Sequence, residues 1–331
     1  MQQQNKIKFR AAVISLVIGF ILFIGKIVAY YLTNSSAIFS DAAESVVHII
    51  ATGLVLFSIY LSNKPPDRSH FYGHGNIEYF SAGFEGFLII CAATIIIYSA
   101  VLDLIHGASP ENLDIGTLIV GAAGVINIFL GYYLIDQGKK TNSIALVADG
   151  KHVLTDAVTS IGVIVGLVLI IFTNFYILDQ IVAIIVALNI VYTGYKLIRE
   201  SIGELMNETD KQLLADLSEI LRKIKKNYYI DLHHLRFWKS AERVFIDFHL
   251  TIPFYFSIKQ SHLEDEYISR ILKTQFPDSE VRIHMDYCGA ELCKFCDYME
   301  CQERSFEKSD TVEWSVDKLL GNPINLKQHI S

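Results

Sequence analysis

The chain has 331 residues, of which 52% are hydrophobic and only 19% charged, and its mean hydropathy is +0.35. Soluble domains carry about a quarter charged residues, so this composition excludes a protein that is soluble throughout. The net charge of −7 comes largely from the C-terminal part and argues against a nucleic-acid partner.

A spanning helix needs roughly 20 mostly apolar residues. Segments 9–32, 37–62, 78–105, 113–135, 143–172 and 177–199 meet that requirement. The first is too long for the apolar part of a cleaved signal peptide and has no small-residue cleavage site. Lys6, Lys8 and Arg10 precede helix 1, Lys64 and Arg68 lie between helices 2 and 3, and Lys139 and Lys140 lie between helices 4 and 5. The connections 32–36, 106–112 and 173–176 contain no Lys or Arg. By the positive-inside rule both termini face the cytoplasm, and the expected location is the cell (inner) membrane. Three regions are expected: a six-helix transport domain over 1–203, a cytoplasmic domain over 204–287 and a Cys-rich metal-binding tail over 288–331.

Helices 2 and 5 are internally related. Asn34, Ser35, Ala37, Asp41, Glu44 and His48 align with Asn142, Ser143, Ala145, Asp149, His152 and Asp156, each pair 108 positions apart. Repeats of this kind often build a transporter's substrate site at their interface. Glu44 and His48 are four apart, as are His152 and Asp156, so each pair shares one helix face. Ionisable groups inside a spanning segment are costly and usually functional. Two carboxylates and two imidazoles offer a four-coordinate oxygen and nitrogen shell that suits Zn²⁺. Asp41 and Asp149, one turn earlier on the same stripes, are expected to line the outer mouth or to orient ligands. Lys26 in helix 1 is expected to snorkel toward the interface, and Cys91 in helix 3 to pack.

Beyond residue 203 the pattern changes. A helix is expected over 208–227, strands over 230–237 and 242–251, a helix over 258–275 and a strand over 279–285. In the second strand Val244, Ile246, Phe248 and Leu250 take one face, and Asp247 and His249 the other. The α-β-β-α-β order implies a small α+β domain with helices on one face of a sheet. The polar segment 302–331 has no clear period and reads as loosely ordered.

The motifs "SDAAESVVH" and "ADGKHVLTD" resemble those of the cation diffusion facilitators, proton-coupled exporters of divalent metals. The resemblance covers about residues 9–287. In that family helices 2 and 5 each carry a four-spaced pair, usually Asp or His followed by Asp. His152 and Asp156 match closely, whereas Glu44 and His48 differ in residue type. The resemblance implies a second metal site in the helix 2–3 loop "PPDRSHFYGHGNIE", through Asp67, His70 and His74. It also implies a ferredoxin-like cytoplasmic domain that forms the homodimer and binds metal, here through His233, His249, His262, His284 and Asp286. Adjacent His234 is expected not to be a ligand.

The tail "CGAELCKFCDYMEC" holds Cys288, Cys293, Cys296 and Cys301. In a reducing compartment these are not expected to form disulfides. A Cys-x-x-Cys core with two flanking thiols is a thiolate metal clip, for zinc or, as an alternative, an iron–sulfur cluster. Free thiols remain the bland reading.

The expected function is efflux of a divalent transition metal, Zn²⁺ foremost, in exchange for protons. Metal requires deprotonated ligands, so metal and protons compete for one site. Fe²⁺, Co²⁺, Cd²⁺ and Mn²⁺ are alternative cargoes, and the two imidazoles weaken the case for Mn²⁺. A membrane metalloenzyme would need an open metal position and a general base, and no His-Glu-x-x-His stretch occurs. A sensor without transport needs no ligands at membrane depth. The lipid bilayer, metal cations, protons and a second copy of the chain are the expected partners.

Overall fold

The computed structural model describes residues 2–106, 112–141, 143–173, 175–241 and 243–324, with side chains described throughout except at 2–6, 144, 145 and 148. Expectations for Asn142, for the side chain of Ala145, for most of the 106–112 connection and for residues 325–331 lie outside what is described. The chain divides into two compact units, Met1–Met206 and Asn207–Ser331.

The first unit is six helices: α1 (Gln2–Thr33), α2 (Ser36–Ser62), α3 (Ile77–His106), α4 (Leu113–Thr141), α5 (Ile144–Thr173) and α6 (Ile177–Leu205). Each contains a stretch long and apolar enough to cross a membrane. Helices α4 and α6 run about a turn and a half past their apolar runs, because helix hydrogen bonding continues into polar sequence. Helix α3 packs on α6 and α4 on α5, and α1 lies against α2 and α4.

Two glycine crossings bring helix backbones into close approach. A Cβ at Gly150 would meet the Gly131 carbonyl oxygen at 2.8 Å, and one at Gly131 would meet the Gly150 oxygen at 2.9 Å. Gly86 and Gly194 make the equivalent crossing of α3 and α6, at 2.8 and 2.9 Å. Backbones this close need small residues at the contact, which is how spanning helices associate where burial of apolar surface adds no drive.

The second unit contains α7 (Lys211–Lys223), β1 (Asp231–Ser240), β2 (Arg243–Ile252), α8 (Ile258–Gln275), β3 (Ser279–Tyr287) and α9 (Val316–Leu320). The sheet order is β1-β2-β3, with β1–β2 antiparallel and β2–β3 parallel. This is the α-β-β-α-β part of a ferredoxin-like plan. Asp210 caps α7 by accepting from Gln212 and Leu213 N–H, and Ser257 with Gln260 forms a capping box on α8. Val244, Ile246, Phe248 and Leu250 are buried against Leu213, Leu217 and Leu221 of α7 and Ile268 and Leu272 of α8. That face is the core.

The segment beyond 302 is not loosely ordered up to residue 324. Trp314 and Leu319 join the same core, the Gly321 carbonyl accepts from His234 N–H at 2.9 Å, and Lys318 pairs with Asp231 at 2.7 Å. A five-residue helix and single anchoring side chains leave no period to read in the sequence.

Candidate metal centres

Helix α2 begins at Ser36 and α5 at Ile144, matching the 108-residue offset of the repeat. Ser35 caps α2 by accepting from Ile38 N–H at 3.2 Å, and Ser143 accepts from Leu146 N–H at 3.4 Å. Asp179 of α6 adds a second cap on α2, taking the Ser35 hydroxyl and the Ser36 N–H, each at 2.6 Å. A carboxylate at a helix N-terminus satisfies donors that have no partner within the helix. The start of α2, and so the register of its polar stripe, is thereby fixed.

The two stripes face each other antiparallel. Asp41 accepts from Ser160 at 2.7 Å, Glu44 from Thr159 at 3.1 Å, and Asp149 from Thr52 at 3.3 Å. Between these rungs the rings of His48 and His152 lie 5.9 Å apart. Antiparallel packing therefore puts Asp41 and Asp149 on opposite sides of the histidines. Of the two expectations for the pair, a shared place at the outer mouth does not hold, whereas Asp149, with Oδ1 4.0 Å from His48 Nδ1, is placed where it can orient that ring.

Ligand-capable atoms of His48, His152 and Asp156 all lie within 4.8 Å of one another, and His152 Nδ1 is 3.7 Å from Asp156 Oδ1. Glu44 is buried on the same ladder but stands outside that compact group. Among the described residues, both ring nitrogens of His48, His152 Nε2 and Asp156 Oδ1 are buried without a hydrogen-bond partner. Buried polar atoms nearly always have partners. His48, His152 and Asp156 each carry such an atom and each offer one ligand atom within 4.8 Å of the others, an arrangement suited to holding a cation.

Two neighbours escape the four-residue spacing. Glu85 of α3 brings Oε1 to 3.7 Å from His152 Nε2. Its signal was a carboxylate about two turns inside an apolar helix. Lys26, expected to snorkel, is instead 2% exposed and pairs with Asp41 at 3.0 Å. It also donates to the Asp41 carbonyl at 3.4 Å. An opposite charge at contact distance in a low-dielectric interior holds the ammonium inside.

The helix 2–3 loop gathers its three residues. Asp67 Oδ1 accepts the N–H groups of Ser69 and His70, both at 2.8 Å, an Asx turn. Those two N–H groups hold its carboxyl below the usual aspartate value. Its oxygens lie 3.2 Å from His70 Nδ1 and 3.4 Å from His74 Nε2. The ligand-capable atoms of Asp67, His70 and His74 lie within 4.8 Å of one another. Gly73, at φ 87°, supplies the left-handed turn that brings His74 back.

In the second unit the strands align three histidines. His233 opposes His249 across β1–β2, and His249 opposes His284 across β2–β3. Asp286, two residues on from His284, shares its face. Its Oδ2 lies 3.4 Å from His233 Nε2 and 3.0 Å from His249 Nδ1, while Oδ1 lies 3.4 Å from His284 Nε2. His233, His249 and Asp286 form the compact group. Burial pulls His233 below the usual imidazole value, against the attraction of Asp231. His234 is the extra residue of a bulge between His233 and Arg236, at φ 52°. His262 is not brought to this group. On α8 it is exposed and pairs one turn away with Glu266, at 3.5 Å.

The four tail cysteines are free thiols and line one cavity of about 280 Å³. None belongs to the three compact groups.

The family profile of the cation efflux transmembrane domain matches residues 12–206, and that of the cation efflux protein cytoplasmic domain matches 209–288. The chain belongs to the cation diffusion facilitator family. An uncharacterised transporter of Synechocystis sp. is 35% identical over 79% of this chain and 84% of its own length. The manganese efflux system protein MneP of Bacillus subtilis is 30% identical over 86% of this chain and 97% of its own. The magnetosome protein MamB of Magnetospirillum gryphiswaldense is 28% identical over 74% and 82%. This facilitator is thus an integral membrane protein of a metal cation efflux family, a family of transporters. The matched profiles end at residue 288, so the cysteine tail lies almost wholly beyond the shared domains.

Proposed function

We propose that the chain exports a divalent transition metal, Zn²⁺ first, from the cytoplasm in exchange for protons. The cargo is held between α2 and α5 by His48, His152 and Asp156, with Glu44 as the fourth ligand. The observation carrying this reading is the convergence of ligand atoms from His48, His152 and Asp156, each of which also carries a buried, unpartnered nitrogen or oxygen. Two imidazoles with carboxylates suit Zn²⁺. Glu85, beside His152, and Asp149, 4.0 Å from His48, lie toward the end of the bundle that carries Lys139 and Lys140. By the positive-inside rule that end is cytoplasmic, so these carboxylates receive the ion on its way in.

Coupling follows from ligand chemistry. Every ligand must be free of its proton to bind metal, so the site exchanges one kind of charge for the other. Rocking of the repeats would then open the ladder to each side in turn. Asp67, His70 and His74 form a cytoplasmic capture site. The His233, His249, His284 and Asp286 face forms a sensing site in a domain that joins two copies of the chain.

A second cargo, Mn²⁺, is favoured by the oxygen ligands Glu44, Glu85 and Asp149 around the histidines and by the manganese efflux relative. Proteoliposomes loaded with a pH dye decide both points. Zn²⁺ addition should move protons in the opposite direction, and Asp156→Ala should abolish that flux while leaving the purified protein folded. Wild-type flux in Asp156→Ala would remove the proposed site, and a rank order with Mn²⁺ ahead of Zn²⁺ would reverse the cargo assignment.

A further inference from the structure

The cysteine tail is not absorbed by transport. Cys288 follows directly on β3, and its N–H donates to the Ile252 carbonyl at 3.0 Å. Cys293 and Cys296 bracket the end of a 3₁₀ turn over Ala290–Phe295, with the Cys296 N–H reaching the Cys293 carbonyl at 3.3 Å. Cys301 follows a turn at Tyr298, to whose carbonyl its N–H donates at 3.4 Å. Chain folding thus brings thiols from three separate turns to one cavity.

The Ser305 N–H donates to the Cys293 sulfur at 3.4 Å. Neutral thiols are weak acceptors, whereas anionic sulfur is a strong one, so this donor suits a metal-bound thiolate.

Arg304 adds a fixed positive charge and holds the turns together. Its guanidinium donates to the carbonyls of Cys293 and Cys296, each at 2.9 Å, and of Tyr298, at 3.0 Å. The cysteine loop has little apolar packing of its own beyond Phe295 and Cys296. Segments too short to bury a core commonly rely on a metal or a disulfide.

We propose that Cys288, Cys293, Cys296 and Cys301 form a closed, four-thiolate site for a zinc-class divalent ion. Its role is structural: it fastens the tail over the end of the β-sheet. Binding replaces each S–H bond with an S–metal bond and releases the proton to solvent, leaving no exchangeable position for cargo. The strap it fastens continues to Trp314 and Leu319 in the core and to Lys318 against Asp231. Asp231 in turn lies 3.3 Å from His233. The bound ion therefore steadies the tail that backs the histidine face, without belonging to it.

The test uses the full chain in detergent under reducing conditions. After loading with zinc, thiols are alkylated with and without a chelator and mapped by mass spectrometry. Labelling of all four tail cysteines should be lost together in the loaded protein and return together on chelation. Cobalt loading should give thiolate-to-metal charge-transfer absorption, which Cys293→Ser with Cys296→Ser abolishes while metal-driven proton flux persists. Four thiols that react equally with and without chelator would overturn the proposal, and that result needs no variant to fold. So would a disulfide between any two of them, or acid-labile sulfide marking an iron–sulfur cluster.

Discussion

Gly19 on α1 faces the ring of His48. A Cβ at Gly19 would lie 2.8 Å from His48 Cδ2 and 3.0 Å from Nε2. Non-bonded carbons rest about 3.5 Å apart or more, so in Gly19→Ala the ring must retreat by roughly 0.7 Å. Ligand distances hold to within about 0.2 Å of their ideal values, so that retreat removes His48 from coordination. Gly25, on the same helix, is the matched control, since its Cβ would find nothing nearer than Ile119 at 3.8 Å. Alanine is favoured over glycine inside a helix by about 0.8–1.0 kcal/mol, so neither change should weaken the fold through the backbone. Displacing a group that positions or supplies a ligand typically costs about 10–100-fold in metal affinity. Gly19→Ala should therefore raise the half-saturating Zn²⁺ concentration for flux by about that factor, and Gly25→Ala should leave it where it is. Indistinguishable titration curves for the two variants would mean that the position of His48 does not govern binding.

Three further outcomes follow from other parts of the molecule. Replacing both Glu44 and His48 by Asp makes the site richer in oxygen and should shift its preference toward Mn²⁺; an unchanged ion ranking in uptake would exclude both residues as ligands. Asp67→Asn keeps an oxygen for the Ser69 and His70 N–H groups but removes the charge between His70 and His74, so calorimetric titration should lose the loop's metal equivalent while flux retains its maximal rate. Equal binding by both proteins would leave the loop as a polar turn. Glu264 is held below the ordinary glutamate value: burial, which raises it, is outweighed by hydrogen bonds from Lys226, Tyr229 and Tyr228. Its stabilising contribution is complete above the unfolded value of 4.5 and lost as pH falls through the lower folded one. Thermal midpoints of Glu264→Gln should lie below those of the wild type at neutral pH and converge with them in acid, and parallel curves would refute the assignment.

The part of the candidate site legible in sequence was the part that repeats. Glu44, His48, His152 and Asp156 interrupt apolar runs at helical spacing, and a helix face can be read from spacing alone. Glu85 and Lys26 could not be placed in that way. Neither has a charged neighbour one turn away on its own helix, and its partner is one that only tertiary packing supplies. The same limit put Asp41 and Asp149 together at one mouth, since alignment by the repeat ignores that the helices run in opposite directions. In the cytoplasmic unit, alternation in β2 gave the core face, and strand register then brought His233, His249 and Asp286 together. Neither the bulge at His234 nor the folded tail has a period, so neither left a trace in the pattern.

Lys26 changes the charge balance of the membrane unit. Asp41 lies on the same stripe as Glu44, but its carboxylate is already matched by a fixed ammonium at 3.0 Å and by the Ser160 hydroxyl at 2.7 Å. Both contacts fall on Oδ1, and Oδ2 is buried without a hydrogen-bond partner. Removing Lys26 would strand the carboxylate's charge in a low-dielectric interior. The ladder's remaining carboxylates, Glu44, Asp149 and Asp156, are without such a tether, as is Glu85 beside His152. For them a mobile cation or a proton is the available compensation. The neutral Lys26–Asp41 pair on one side and untethered carboxylates around two histidines on the other give the ladder a direction. On the proposed reading, divalent ions would enter past Asp149 and Glu85 and be held where Asp156 meets the imidazoles. Release would then require protons to take the ion's place on the ligands, which is the physical basis of the proposed coupling of efflux to proton entry.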